Sequence, residues 1–300
     1  MEAKAGGGLA TGLFLALAVA WGFNYLFVRE GLAYSAPLWL ATGRSMVGFA
    51  FVAAILFARP GQRGHLSGSG RLAATLLGVP TTALFFGLWF VAARSVLPGE
   101  AAVLVYTFPL WVALLAYPVL GHRLSAVGVG SVLVGFAGVV LVADPWVGGS
   151  PPPWSAIVEL LVGAVSWAVG TVLMQRWFRG EEMQEANLYQ LLGGSVALVG
   201  ASLVLEPGLP TLSLPLLGIL LWLGGVGTAF AYSVWFWLLS RRRAAPLSAN
   251  LFLVPVVALT ASAVLFGERL SWFQYVGVAA VLVSIYLTNR NAEPLEEPAG

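Results

Sequence analysis

Cysteine is absent from the 300 residues, and with it go disulfides, thiolate metal sites and cysteine nucleophiles. Charge is scarce: 9% of residues are Asp, Glu, Lys or Arg and 59% are hydrophobic, where an ordinary soluble domain carries about 25% charged residues. A water-soluble globule is thereby excluded. Fifteen Lys+Arg against 13 Asp+Glu leave a net charge of +2, too little for a surface that neutralises nucleic-acid phosphates. Asp occurs once, at Asp144, and His twice, at His65 and His122. Clustered carboxylates, metal-ligand sets and activated nucleophiles therefore have few residues to draw on. No His-Glu-x-x-His, Gly-x-Ser-x-Gly, Asp-x-x-Asp or Gly-x-x-x-x-Gly-Lys pattern occurs. That argues against a membrane-embedded enzyme acting on lipid, the competing reading, and calls for neither cofactor nor metal. The charge ring or filter segment of a channel is missing as well.

What the chain has is long apolar runs. A bilayer core about 30 Å thick takes about 20 helical residues to cross. Ten runs of that kind stand at 9–28, 37–58, 72–91, 99–119, 125–143, 155–175, 188–205, 214–238, 247–266 and 272–288. In hydrocarbon every backbone polar group must be paired internally, which leaves helices or a closed barrel, and unbroken runs rather than alternation decide for helices. The chain reads as an all-α polytopic membrane protein with short loops. Lys4, an apolar stretch and Ala18-Val19-Ala20 imitate a secretory signal with its cleavage site, but the run continues to Val28 and recurs deep inside the chain. The end of the chain, 290–300, is Glu- and Pro-rich and reads as a cytoplasmic tail. Placing the N-terminus inside puts Lys4, Arg59, Arg63, Arg71, Arg123, Arg176, Arg179, Arg241, Arg242, Arg243 and Arg290 in the cytoplasm, and only Arg29, Arg94 and Arg269 outside. This asymmetry predicts both termini on the cytoplasmic side.

Sliding the chain against itself by 146 residues superposes Trp21 on Trp167, Trp89 on Trp235, Pro109 on Pro255, and Gly121-x-Arg123-Leu124-Ser125 on Gly267-x-Arg269-Leu270-Ser271. The chain thus divides into a first unit, 1–146, and a second, 147–289. Five spans per unit is an odd number, so the second unit enters the membrane from the opposite side and the two form an inverted pair. Such pairs exchange conformations by alternating access, with the substrate site near the midplane between them.

These residues resemble the EamA-type members of the drug/metabolite transporter superfamily. The second unit carries Val254-Pro255, Gly267-Glu268-Arg269-Leu270-Ser271 and Gln274-x-x-Gly277. The first departs from this, with His122 for the Glu and Gly128 for the Gln, while Trp21-Gly22 and Arg44 fit the family's first and second helices. Within the superfamily the aromatic-rich middle is most similar to the bacterial aromatic amino acid exporters of the YddG type. The resemblance implies that the third, fourth, eighth and ninth helices, with the first and sixth, line a central cavity.

Aromatic residues inside spans are the first candidates to line it. Trp146, Trp154 and Trp272 sit at span ends and read as interface anchors. Trp21, Trp89, Trp167, Trp235 and Tyr106 lie inside, where an indole N–H or phenol O–H needs a partner that lipid cannot supply. Phe85, Phe86 and Trp89 share one helical face, repeated by Tyr232, Trp235 and Phe236. Core packing is the competing use of such a stripe. Among neutral polar residues, Asn24 and Asn250 offer donors and acceptors suited to an amino acid or to interhelical bonding. Thr107, Gln175 and Ser248 are further polar candidates, Ser248 equally readable as a helix cap. The candidate substrate-binding set is Trp21, Asn24, Phe85, Trp89, Tyr106, Phe108, Trp167, Tyr232, Trp235 and Asn250. Arg44, well inside a span, reads as a structural residue facing a cavity or carbonyls. No carboxylate stands at mid-membrane; Glu159 is the best placed for proton antiport, and substrate-gradient-driven export is the expectation.

Little fixed charge among aromatic walls suits zwitterionic or neutral small molecules: amino acids, aromatic ones foremost, with drugs or other metabolites as the alternative. Besides such a substrate, the partners are membrane lipid and no nucleic acid, and one chain encloses the whole pathway, so a monomer is expected. The topology is checked by cysteines introduced at Gly148 and Arg242. An impermeant maleimide added to whole cells is expected to label the first and spare the second, and equal labelling would overturn the orientation.

Overall fold

The computed structural model describes residues 2–58, 64–96, 98–122, 125–144, 152–266 and 270–290. Arg59, Arg63, Arg123, Arg269, Trp146, Gly148, Gly267-Glu268 and the tail beyond 290 lie outside them. Among the described residues helices and short connecting turns make up the chain, with no strand and with ten helices long and apolar enough to cross a membrane. They are α1 (Glu2–Gly31), α2 (Pro37–Ala58), α3 (Gly68–Ala92), α4 (Glu100–Leu120), α5 (Ala126–Ala143), α6 (Trp154–Trp177), α7 (Glu182–Leu205), α8 (Leu214–Leu239), α9 (Ala244–Ala261) and α10 (Trp272–Arg290). Two helices start well before their sequence-based bounds: α1 at Glu2 rather than 9 and α7 at Glu182 rather than 188. Hydropathy marks the part that crosses lipid, while α7 continues into the interface through acidic residues suited to a helix N-terminus. There Glu185 is buried, accepting from Leu66 N at 3.1 Å and pairing with Arg71 Nε at 3.1 Å.

The motif repeated at Ser125 and Ser271 is a helix start. Ser125 Oγ accepts from Gly128 N at 3.1 Å to cap α5. Ser271 Oγ accepts from Gln274 N at 3.3 Å while Gln274 Oε1 accepts from Ser271 N at 2.9 Å, the reciprocal capping box. Gly128 in place of that Gln leaves the first copy with half of the box.

Two helix pairs, α2 with α7 and α5 with α10, run antiparallel, and each joins equivalent helices of the two units. Leu38 N meets the Glu206 carboxylate at 3.0 Å, and one turn further along α2 Thr42 Oγ1 meets Ser202 Oγ at 2.9 Å, one turn back along α7. Likewise Ser131 Oγ bonds Thr288 Oγ1 at 2.9 Å. Further along α5, Gly138 lies against Val281, and Val142 against Gly277. Adding 146 to Ser131 and subtracting it from Thr288 turns the first of these contacts into the last. The same operation relates the crossings of α2 with α8 and of α7 with α3. Gly48 packs against Thr228 and the Gly224 carbonyl, and Gly194 against Thr82 and the Gly78 carbonyl. The units are thus two inverted five-helix repeats.

At those crossings backbone touches backbone because no Cβ intervenes, the close approach that membrane helices use in place of a hydrophobic drive. Gly48→Val and Gly194→Val are each expected to destabilise the detergent-solubilised protein by about 1–3 kcal/mol through overpacking. Gly130→Ala, where an added Cβ meets nothing within 4 Å, is expected to be neutral. Thermal unfolding of the three variants checks this.

Candidate functional site

The third helix of each unit loosens at the same place. α3 widens into a π-helical stretch over Val79–Leu84 and α8 over Leu221–Phe230, ending at positions related by the 146-residue offset. A widened turn frees carbonyls from the i−4 ladder, and polar groups of other helices take them. Ser166 Oγ donates to Pro80 O at 2.8 Å and Trp21 Nε1 to Gly227 O at 3.0 Å. In α4 the regular helix is interrupted at Tyr106 and Thr107, because Pro109 has no N–H for the Val105 carbonyl.

Close to these interruptions lies a small, tightly walled cavity between the units, lined at their edges by Phe85, Tyr106 and Tyr232. Trp21 of α1 and Trp167 of α6, equivalent in the repeat, meet edge to face across it with ring centres 6.1 Å apart. Phe85 and Tyr232 each lie 5.1 Å from Trp167, and Trp89 is 5.8 Å from Phe85. Asn24, Tyr106 and Phe108 complete eight of the ten residues proposed from sequence. Trp235 stands one layer behind, fully buried and 6.0 Å from the Trp21 ring. Asn250 is elsewhere: it borders a separate groove beside Arg241 and Arg242, where its amide exchanges hydrogen bonds with Asn289 at 2.7 and 3.2 Å. Thr107 bonds its own helix at Leu104 O, and Ser248 lies buried within a helical turn rather than capping one. Among the described residues no side chain of α9 borders the central cavity, and Glu159 does not either.

Tyr25 and Arg44 border the cavity too, and the sequence reading had not placed them in the site. Arg44 is 1% exposed. Its Nε donates to Thr228 Oγ1 at 2.9 Å and Nη2 to Gly227 O at 3.2 Å. The Asn24 amide, its nitrogen on Ala20 O, presents its oxygen to Nη2 at 3.3 Å. The guanidinium lies 4.0 Å from the centre of the Phe86 ring and 5.5 Å from that of Trp89. Nη1 has no partner among the described residues, and no carboxylate there stands within ion-pair distance. The residue equivalent to Arg44 is Gln190, whose Oε1 accepts from Thr81 and Thr82 at 2.6 and 2.7 Å and whose Nε2 donates to Asn187 at 3.0 Å. One unit closes this crossing with a neutral, satisfied amide; the other leaves a cation with a spare donor.

The two ends of the cavity differ. At one, Gln175 of α6 clasps the α8–α9 turn, donating to Leu239 O at 2.8 Å and Arg242 O at 2.7 Å and accepting from Ala244 N at 2.8 Å. At the other, the equivalent residue is Arg29, and a vestibule of about 440 Å³ separates α1 from the α3–α4 turn. Tyr25 and Trp89 border both vestibule and cavity.

The model of the EamA-like transporter family matches residues 9–143 and again 154–290. The chain belongs to that family. It is 30% identical, over 92% of its length and 93% of the relative's, to a "Probable amino-acid metabolite efflux pump" of Salmonella typhimurium. It is 29% identical, over 92% and 89%, to the "Uncharacterized inner membrane transporter YedA" of Escherichia coli K12. A solved structure superposes with a TM-score of 0.77 over 95% of this chain and 98% of its own, at 19% identity, a likeness of fold. This family member is a membrane transporter and not an enzyme.

Arg44 is not needed to satisfy its neighbours. Gly227 O already accepts from Trp21, and Thr228 Oγ1 donates to Leu223 O at 2.8 Å. An unpaired buried cation is costly. Arg44→Met is therefore expected to leave the melting temperature of the ligand-free protein unchanged or raised; a marked fall would make the guanidinium a structural strut.

Proposed function

We propose that the protein is a bacterial inner-membrane exporter of amino acids, aromatic and other neutral ones, or of closely related metabolites, working as a monomer by alternating access. The observation that carries this is a small aromatic-walled cavity between two inverted units, with Tyr25 and Trp89 standing between it and a vestibule at one end and the Gln175 clasp at the equivalent place on the other. Inverted units of like build exchange such end states, so the clasped and open ends trade places as substrate crosses. With both termini cytoplasmic, the vestibule beside Arg29 and Arg94 faces outward.

The chemistry of the walls supports the substrate class. Indole and phenyl faces take an apolar side chain and attract an ammonium by cation–π contact worth roughly 0.5–2 kcal/mol. Asn24 supplies both hydrogen-bond senses. A phosphorylated ligand would call for a cluster of Lys and Arg, and among the described residues the cavity has one basic residue. With no acidic side chain on the cavity wall among the described residues, a substrate gradient rather than a proton gradient suits the energetics. The chain's similarity to a relative described as an amino-acid metabolite efflux pump points the same way.

Counterflow in proteoliposomes across the standard amino acids tests the reading. Uptake of at least one neutral amino acid is expected, cut roughly tenfold by Trp167→Ala, since losing a wall indole removes stacking area worth on the order of 1–2 kcal/mol, and less by Tyr106→Phe. If none moves, the amino-acid reading falls.

A further inference from the structure

We propose that this site selects its substrate by the carboxylate, held on Arg44, and that the substrate's ammonium is dispensable. The inference rests on the transport reading above and narrows it. Its ground is a mismatch of charge. The cavity is bordered by one full positive charge, 1% exposed, with Nη1 unpartnered and no carboxylate in ion-pair range among the described residues. Charges inside a membrane pair with one another or with backbone carbonyls and mark sites of function; Nη2 has its carbonyl, and Nη1 is left for a ligand.

The surroundings specify the shape of that anion. Nε and Nη2 are committed to Thr228 and Gly227, which fixes the plane of the guanidinium, and the Phe86 ring covers it at 4.0 Å. The free edge at Nη1 offers a charge-assisted hydrogen bond to one carboxylate oxygen. Tyr232, which borders the same cavity, has a buried hydroxyl with no partner among the described residues, a second donor for the other oxygen. Among the described residues no acidic side chain borders the cavity to hold an ammonium; apart from Arg44 and Val105 the wall is ring faces and the Asn24 amide. The repeat supplies an internal control. The equivalent Gln190 has its oxygen and nitrogen taken up by Thr81, Thr82 and Asn187, so the scaffold is able to close this crossing without a charge.

The test uses purified full-length protein and intrinsic tryptophan fluorescence, since Trp21, Trp89 and Trp167 border the cavity. Three parent acids, L-phenylalanine, L-leucine and L-methionine, are titrated beside their methyl esters, which lack the carboxylate, and their N-acetyl and 2-oxo counterparts, which lack the ammonium. Acids, N-acetyl acids and 2-oxo acids are expected to bind within about tenfold of one another, and the esters weaker by roughly tenfold or more, the scale of one charge-assisted bond. Arg44→Lys is expected to keep part of the acid-over-ester preference and Arg44→Gln to abolish it. Because the ester comparison is made on the unaltered protein, it decides the matter even if a variant fails to fold. Esters binding as well as acids, or Arg44→Gln keeping the preference, would overturn the carboxylate assignment and leave the transport reading standing. N-acetyl and 2-oxo acids failing to bind where the parents do would overturn the dispensable ammonium. No acid binding at all would overturn both.

Discussion

Hydrocarbon offers no hydrogen-bond partner, and that single deficit organises the molecule. A polar side chain carried into the bundle gains by finding a match on another helix, and the residues that do so act as register marks. The Glu206 carboxylate takes the exposed N–H groups of Leu38 and Trp39 at 3.0 and 3.1 Å, where a helix N-terminus also favours negative charge. Thr42 meets Ser202, Ser131 meets Thr288, and Ser284 Oγ donates to Ser131 O at 2.6 Å. All of these bonds lie on the antiparallel pairs α2–α7 and α5–α10, which join the two units. Each is worth little by itself, of order 1 kcal/mol in a membrane. Together with the Gly crossings they leave one way for the units to meet.

Within that frame, departures from symmetry make a site. Where Asn24 of α1 fills the space beside Gly227, the repeat puts Gly170 beside Thr81: a large residue meets a small one in both places, but the roles are exchanged. Only the first arrangement leaves an amide at the cavity wall. Arg44 against Gln190 follows the same rule, and so does Tyr25 against Thr171. A duplicated scaffold supplies two equivalent positions for every wall residue: Trp21 and Trp167 both reach the cavity, while at Asn24, Tyr25 and Arg44 only the first unit's member does. Arg29 against Gln175 extends the pattern to the ends, where one residue clasps a turn and its counterpart borders an open vestibule.

The ten spans, their helical character and the offset were legible in the sequence, because long apolar runs and matched Trp and Pro residues stand out against any background. The aromatic wall was legible for the same reason. What escaped is instructive. Gly48, Gly78 and Thr82 have counterparts at Gly194, Gly224 and Thr228, yet Gly and Thr are too common in membrane helices to draw notice, although these crossings bring the units together. Asn250 was grouped with the cavity because an amide near the start of an inner helix looks functional. Only three-dimensional packing reveals that Asn289 satisfies it. Arg44 was read as structural since guanidinium groups in membranes usually end on carbonyls; one of its bonds does end there, and the free nitrogen is invisible in one dimension.

That free nitrogen bears on the transport cycle. On the proposed alternating-access reading there is a moment when the cavity is closed to both sides, and Arg44 is then cut off from water with its charge uncancelled unless an anion sits beside it. Phe86 below it and Thr228 beside it soften the cost, and neither removes it. On the carboxylate reading, the loaded protein passes through closure more easily than the empty one. Such a bias couples the return step to a second substrate, favouring exchange over empty recycling, and it needs no acidic residue on the cavity wall to do so. The scarcity of charge in the chain and the isolation of this one cation are then two sides of one arrangement, in which the ion pair that would stabilise the bundle is completed by the cargo.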